Sequence, residues 1–262
     1  MGPARHAIAV ASGKGGVGKS TISLNLALAL RAGGASVGIL DADFYGPDIP
    51  LMVNLKRDET LRQWDVWRGG DVRLTPVERY GLKLMSVGFL IGEHQSLPFN
   101  AFSLPIALRQ FVSGTDWGSL DYLIIDLPPG TADLQHEVTR TLGLSAALIV
   151  VGPQDAAHLD AKRVVELLQI YRVRVLGGVE NMSGLVCPHC GELIDVFPPV
   201  AEERSLWSLG IAKLASLPLD PATTDGGAPL LVRAPGSEQA QRFHALARAV
   251  RDALVEDESD SR

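Results

Sequence analysis

Apolar residues in this chain fall into two arrangements. Short, largely apolar runs occur at Ala7 to Ala11, Val37 to Leu40, Leu82 to Val87, Tyr122 to Ile125, Ala147 to Val151, Val173 to Gly177 and Lys213 to Leu217. Their length and continuity suit strands buried on both faces. Longer stretches with apolar residues three and four apart predict helices over Thr21 to Arg31, Leu104 to Val112 (behind Ser103 as a cap), Leu159 to Tyr171 and Glu238 to Leu254. The first helix should stop near Gly33-Gly34, and Pro50 to Arg62 should be partly helical. Gly69-Gly70 and Tyr80-Gly81 read as turns around a strand at Val72 to Val77. Apolar strands alternating with helices predict an α/β fold, with a mostly parallel central sheet and helices on both faces. Ligands of such sheets lie at the carboxyl ends of the strands.

With 262 residues, 46% of them hydrophobic, the chain can bury one large core. A single domain is expected over residues 1–255, followed by an acidic and disordered tail at 256–262. The longest apolar stretch, Ala146 to Val151, is far too short to span a bilayer, and the first residues lack the charged-then-apolar pattern of a secretory signal. A cytoplasmic location is the expectation. Lys and Arg number 24 against 30 Asp and Glu, a net charge of −6. That balance disfavours broad binding to nucleic acid or to anionic membrane, so neither is expected as a partner.

Directly after the first strand comes Gly13-Lys14-Gly15-Gly16-Val17-Gly18-Lys19-Ser20-Thr21, which fits G-x-x-x-x-G-K-[ST]. Strand, glycine loop and helix are the context of a phosphate-binding loop. Its backbone N–H groups wrap phosphate oxygens, and the helix N-terminus adds partial positive charge. Lys19 is placed to reach the β- and γ-phosphates of ATP, and the Ser20 hydroxyl to ligate Mg²⁺. The fold expected is therefore a P-loop NTPase. An ordinary loop of this kind needs one lysine; Lys14 is a second. In this the motif resembles the deviant Walker A loop of the SIMIBI-class ATPases: MinD, ParA, the nitrogenase iron protein and the Mrp family. The resemblance implies a homodimer sandwiching nucleotide, with Lys14 crossing to the partner's bound ATP.

Two acidic stretches follow strand ends. Leu40-Asp41-Ala42-Asp43 leads into Phe44-Tyr45-Gly46-Pro47, which resembles the class's switch I. By that likeness Asp43 orients the attacking water and Asp41 supports the Mg²⁺ shell. Phosphoryl transfer needs such positioning more than it needs a strong base. Leu123-Ile124-Ile125-Asp126 resembles Walker B, which implies that Asp126 stands behind the Mg²⁺. Leu127-Pro128-Pro129-Gly130-Thr131-Ala132-Asp133 follows as switch II, with Gly130 free to take unusual φ/ψ and Asp133 a candidate cap of the next helix.

Cys187-Pro188-His189-Cys190 holds the only two cysteines, in a polar loop with Gly191. The C-x-x-C spacing brings two thiolates to one metal centre, but half a zinc site and a redox pair share it. No helix opens directly at the pair, which weakens the redox reading, and a disulfide fits a reducing cytoplasm poorly. Two thiolates complete neither a tetrahedral zinc site nor a four-iron cluster, whereas a symmetric dimer supplies four.

Gly178-Val179-Glu180-Asn181-Met182-Ser183-Gly184, the cysteine motif, Asp41 to Pro50, Ile125 to Thr131 and Leu217-Pro218-Leu219-Asp220-Pro221 together resemble the Mrp/ApbC branch of iron–sulfur cluster carrier ATPases, over roughly residues 7 to 250. The resemblance implies an ATP-hydrolysing carrier that holds a [4Fe–4S] cluster between two subunits through Cys187 and Cys190. Apo iron–sulfur proteins are the implied recipients. It also implies that Asn181 reads the adenine edge and that Pro218 lies near the base. There are departures from the family pattern. Pro98 to Ser103 replaces Trp-Arg-Gly-Pro-Met, and Ala132 replaces the glycine of Gly-Thr-Gly-Asp. Many bacterial relatives carry a small N-terminal domain that is missing here. The expectation is the ATPase half of a split system, or a different way of recruiting targets. Two rival readings stand beside the carrier: a ParA/MinD-type spatial organiser, and a nucleotide-dependent regulator stapled by zinc.

Overall fold

The computed structural model describes residues 4–55, 73–89, 103–130, 133–187, 189–219 and 227–260. In chain order the elements are β1 (Ala4–Ala11), α1 (Lys19–Ala32), β2 (Val37–Asp41), α2 (Ile49–Met52), β3 (Val77–Arg79), β4 (Leu82–Ser86), α3 (Ser103–Ser113), β5 (Leu120–Asp126), α4 (Asp133–Thr141), β6 (Ala146–Val151), α5 (Asp155–Ile170), β7 (Arg174–Val186), β8 (Leu193–Ile194), β9 (Lys213–Leu219), α6 (Leu230–Arg233) and α7 (Glu238–Asp260). The strands form one sheet in the order β3-β4-β2-β5-β1-β6-β7-β8, with β9 also on β7; only β3 and β8 run antiparallel to their neighbours. β2 and β6 are buried along their whole length, as strands covered on both faces must be.

From β1 the chain first winds toward β2, then returns past β1 to β6 and β7. Right-handed crossovers running in opposite directions place α1 on one face and α4 and α5 on the other. The reversal opens a crevice at the carboxyl end of β1, where the phosphate-loop motif lies. α1 packs on β1, β2 and β5 and is backed by α7, while α5 packs on β6 and β7. Phe243, Leu246, Ala247 and Val250 of α7 are buried in the same core as Leu26 and Leu30 of α1.

Three elements differ from what the sequence predicts. The expected strand at Val72 to Val77 is a single bridge from Leu74 to Thr115, with the strand itself at Val77–Arg79. Pro76 between them has no N–H to give a ladder. α7 runs on to Asp260, into the segment expected as a disordered tail, since no glycine or proline interrupts the chain there. The largest difference is β7, predicted to stop at Gly177 and observed to reach Val186. Glycines, Asn181 and Ser183 mask its pattern. Gly177 and Gly178 leave room for neighbours: a Cβ on them would stand 2.5 Å from Leu214 and 2.7 Å from Trp207. Pairing with β6 on one side and β9 on the other keeps the strand extended. The expected turn at Gly69-Gly70, and the departures at Pro98 to Phe102 and at Ala132, lie outside the described residues.

Candidate functional site

The loop between β1 and α1 lines a cleft of about 620 Å³ with Lys14, Gly15, Gly16, Gly18, Lys19, Ser20 and Thr21. Gly18 caps α1 in the left-handed region (φ 83°), and a Cβ there would sit 2.3 Å from Asn181 Nδ2. Both constraints require glycine. Gly13 and Val17 belong to the same loop. Val17 is buried, and its carbonyl accepts a hydrogen bond from Asn181 Nδ2 at 2.8 Å. Lys14 is exposed, lines the cleft and has no ion-pair partner among the described residues.

Beneath the loop three charged side chains are buried together. Lys19 Nζ lies 2.9 Å from Asp126 Oδ1, which also accepts Ser23 Oγ at 2.7 Å. The ammonium has no aligned hydrogen-bond acceptor, and Asp126 Oδ2 has no donor, among the described residues. Asp41 stands opposite Asp126 in the β2–β5 register and is likewise fully buried. It accepts Ser86 Oγ at 2.9 Å and the Asp43 N–H at 3.2 Å. Burial first, and the field of Asp126 second, hold its carboxyl well above the usual carboxylate range; the Ser86 bond and Lys19 offset this only in part. Asp43 and Asp48 are raised too, chiefly by burial. Asp43 Oδ1 accepts the Gly46 N–H at 3.1 Å, so the turn after β2 is built around it.

Two adjacent buried carboxyls share one lysine, so the second ionises only at a cost that a cation would offset. That, and the unpartnered Asp126 oxygen, fit a divalent cation bound at this end of the sheet. Among the described residues no three His, Cys, Asp or Glu side chains converge on a metal-sized point. A Mg²⁺ here would therefore be completed by Ser20, phosphate oxygens and water, as is usual for this ion. Gly130 has φ 89°, as the sequence suggests, and its N–H donates to the Ser12 carbonyl, which ties the end of switch II to the phosphate loop.

Asn181, Met182, Pro218, Leu219, Pro229 and Phe243 also line the cleft, and the Asn181 amide donor is engaged by the loop. Sequence reasoning missed Ser23, Ser86, Asn25 and Gln239. Ser23 is one helical turn from Lys19, and Ser86 ends the strand beside Asp41, so only the register reveals its partner. Asn25 Oδ1 accepts the Leu231 N–H at 3.4 Å, and Gln239 Nε2 donates to the Pro218 carbonyl at 3.2 Å; both side chains are buried and line the cleft.

Past Asn181 the backbone of β7 turns through Met182 in the left-handed region (φ 57°), shifts register against β9, and continues to Val186. Cys187 and Cys190 follow as free thiols, the first partly exposed and the second exposed. Backbone N–H groups of Cys190 and His189 hold the Cys187 thiol below its ordinary range, which favours the thiolate that binds metal.

A family model described as ParA: NUBPL iron-transfer P-loop NTPase matches residues 3–251. The chain is 41% identical over 253 residues to an Arabidopsis thaliana protein, "Iron-sulfur protein required for NADH dehydrogenase, mitochondrial", covering 95% of this chain and 79% of that one. It is 40% identical over 253 residues to the iron–sulfur cluster carrier protein of Aquifex aeolicus, covering 94% and 67%. Among solved structures it resembles a nucleotide-binding protein from Archaeoglobus fulgidus in complex with ADP, at TM-score 0.69 and 32% identity, covering 95% of this chain and 88% of that one.

Proposed function

Because the chain belongs to the NUBPL iron-transfer P-loop NTPase family, we propose that it is an ATP-dependent carrier that holds a [4Fe–4S] cluster between two copies of itself and passes it to apo-proteins. The observation that carries this reading is β7: one strand bears Asn181, bonded to the phosphate loop, and five residues past it leads into Cys187. ATP would occupy the cleft with its phosphates on the loop from Gly13 to Thr21 and its base by Asn181 and Pro218. Lys19 neutralises phosphate charge from below. Asp43, on the turn after β2, orients the attacking water, and Lys14 reaches the nucleotide of the facing subunit. Ser20, with Asp41 and Asp126 nearby, would hold a Mg²⁺, which would supply charge neutralisation on the phosphates. The cleft is at the carboxyl end of the sheet, and the thiols are at the end of its longest strand. Rearrangement at Asn181 on ATP binding or release therefore acts along β7 toward the cargo.

Two thiolates per chain make the four of a [4Fe–4S] cluster only in a homodimer. Free thiols suit a reducing compartment such as the cytoplasm. Among the described residues no helix is long and apolar enough to cross a membrane. The test is anaerobic reconstitution with ferrous iron and sulfide, followed by metal analysis and incubation with an apo iron–sulfur protein. About four irons per dimer, with activation of the recipient, is the expected result. Zinc bound without sulfide, and no transfer, would instead make the thiols a structural staple.

A further inference from the structure

The ribbon that carries the cysteines is poorly covered. β7 and β8 pair through Leu185–Ile194 and Val186–Leu193, and the Cys187 N–H donates to the Glu192 carbonyl at 2.8 Å beyond them. β8 is the end strand of the sheet. Successive side chains on a strand face opposite ways, yet Leu193 (59% exposed) and Ile194 (46%) are both open, and Val196 and Phe197 are exposed beyond them. Leu185 also pairs with Leu219 of β9, so only the part beyond it is two-stranded, and two strands open on both faces are marginal in water. Residues 185–203 contain Glu192, Asp195, Glu202 and Glu203 and no lysine or arginine.

The donor count says what covers this surface. The ribbon offers two thiols, and no group of three metal-binding side chains exists among the described residues. A four-thiolate centre built here takes its other two donors from outside the chain, and whatever brings them also meets the apolar side chains around them. A second copy brings an identical pair and an identical apolar set about a two-fold axis. Four side chains a side fall short of the roughly 1,200 Å² that a stable interface buries. The repeated acids also oppose approach of two bare ribbons, so the metal centre has to tie them.

We propose that Leu193, Ile194, Val196 and Phe197 form an apolar collar that a second copy of this chain covers when two ribbons share one metal centre, and that its burial sets how long the centre is retained. The proposal rests on the carrier reading above. The test compares the full chain with a Leu193→Ser/Phe197→Ser variant and, separately, Val196→Ser. Each is reconstituted anaerobically with ferrous iron and sulfide, then followed by analytical ultracentrifugation and by iron loss to a ferrous chelator. With both thiols intact, the double variant should load iron but lose it at least about tenfold faster, with a smaller dimer fraction, since two buried apolar side chains contribute that much or more. Val196→Ser should fall between, and ATP binding by both variants should match the wild type. Iron loss and dimer fraction equal to wild type would overturn the collar while leaving the carrier reading in place. The same result accompanied by weaker transfer to a recipient would assign the surface to the recipient and also overturn it. A wild-type chain that takes up no iron would overturn the carrier reading and the collar together.

Discussion

The two sites along β7 are built on opposite plans. At the phosphate loop, polar groups are buried and held by the chain itself: Lys19 on Asp126, Asp41 on Ser86, Asn181 on Val17. At the cysteine ribbon the thiols are partly or fully exposed, and one chain offers two of the four thiolates that the proposed cluster needs. A site that must hold the same ligand in every cycle gains from preorganisation, because its ordering cost is met on folding. A site that must release its cargo gains from being incomplete. The contrast predicts that substitutions in the first region disturb stability along with function, and that those in the second disturb function alone.

The largest effect should come from Lys19→Ala. It removes the phosphate clamp and leaves Asp126 buried without its counter-charge, which costs about 3–5 kcal/mol when a buried pair is broken. Calorimetry should detect no ATP binding, and the melting temperature should fall. Adding Asp126→Asn should recover much of the stability and none of the binding. If Lys19→Ala melts like the wild type, the buried-pair argument fails.

Cys187→Ser and Cys190→Ser should abolish iron–sulfur binding and transfer, because the dimer repeats each loss. Both positions lie outside the core, so apo stability should change by no more than about 0.5 kcal/mol, and ATP binding should persist. A marked drop in the melting temperature of the metal-free serine variants would erase the contrast between the regions.

Asp43→Ala should bind ATP while hydrolysing it at least about tenfold more slowly, as loss of a water-positioning group does. Lys14→Ala should also bind ATP, its exposed amine being unneeded within one chain, and should fail to hydrolyse it. Steady-state turnover beside equilibrium binding separates the two properties. Unchanged turnover in either variant moves that role to another residue.

The smallest effect is on pH dependence. Asp41 is raised in the folded state, so the folded protein keeps a proton that the unfolded chain has already released. Its contribution is full below the ordinary carboxylate range and is lost as pH rises through the raised value. Without nucleotide and Mg²⁺, the melting temperature should therefore decline across that window. Asp41→Asn should flatten the decline and raise the neutral-pH melting temperature by about 2–4 °C for each kcal/mol relieved. An identical slope in the variant would show that other groups set it.

Much of this protein was determined by local sequence. Largely apolar runs located β1, β2, β4, β5 and β6 within a few residues, because a strand buried on both faces is written mostly in apolar residues. The loop from Gly13 to Thr21 was legible for a similar reason: backbone wrapped around phosphate requires glycine at fixed steps. The C-x-x-C spacing suggested a metal site but left half a zinc site and a redox pair open. What local sequence did not determine was everything that depends on register between distant segments. That Asp41 faces Asp126, that Ser86 and Ser23 satisfy them, and that Gln239 holds Pro218 follow from which strands and helices are neighbours. The full reach of β7 was decided the same way. Its glycines and polar residues have little strand preference of their own, and hydrogen bonding to β6 and β9 imposes the extended form. Only that tertiary pairing joins the nucleotide cleft to the cysteine ribbon.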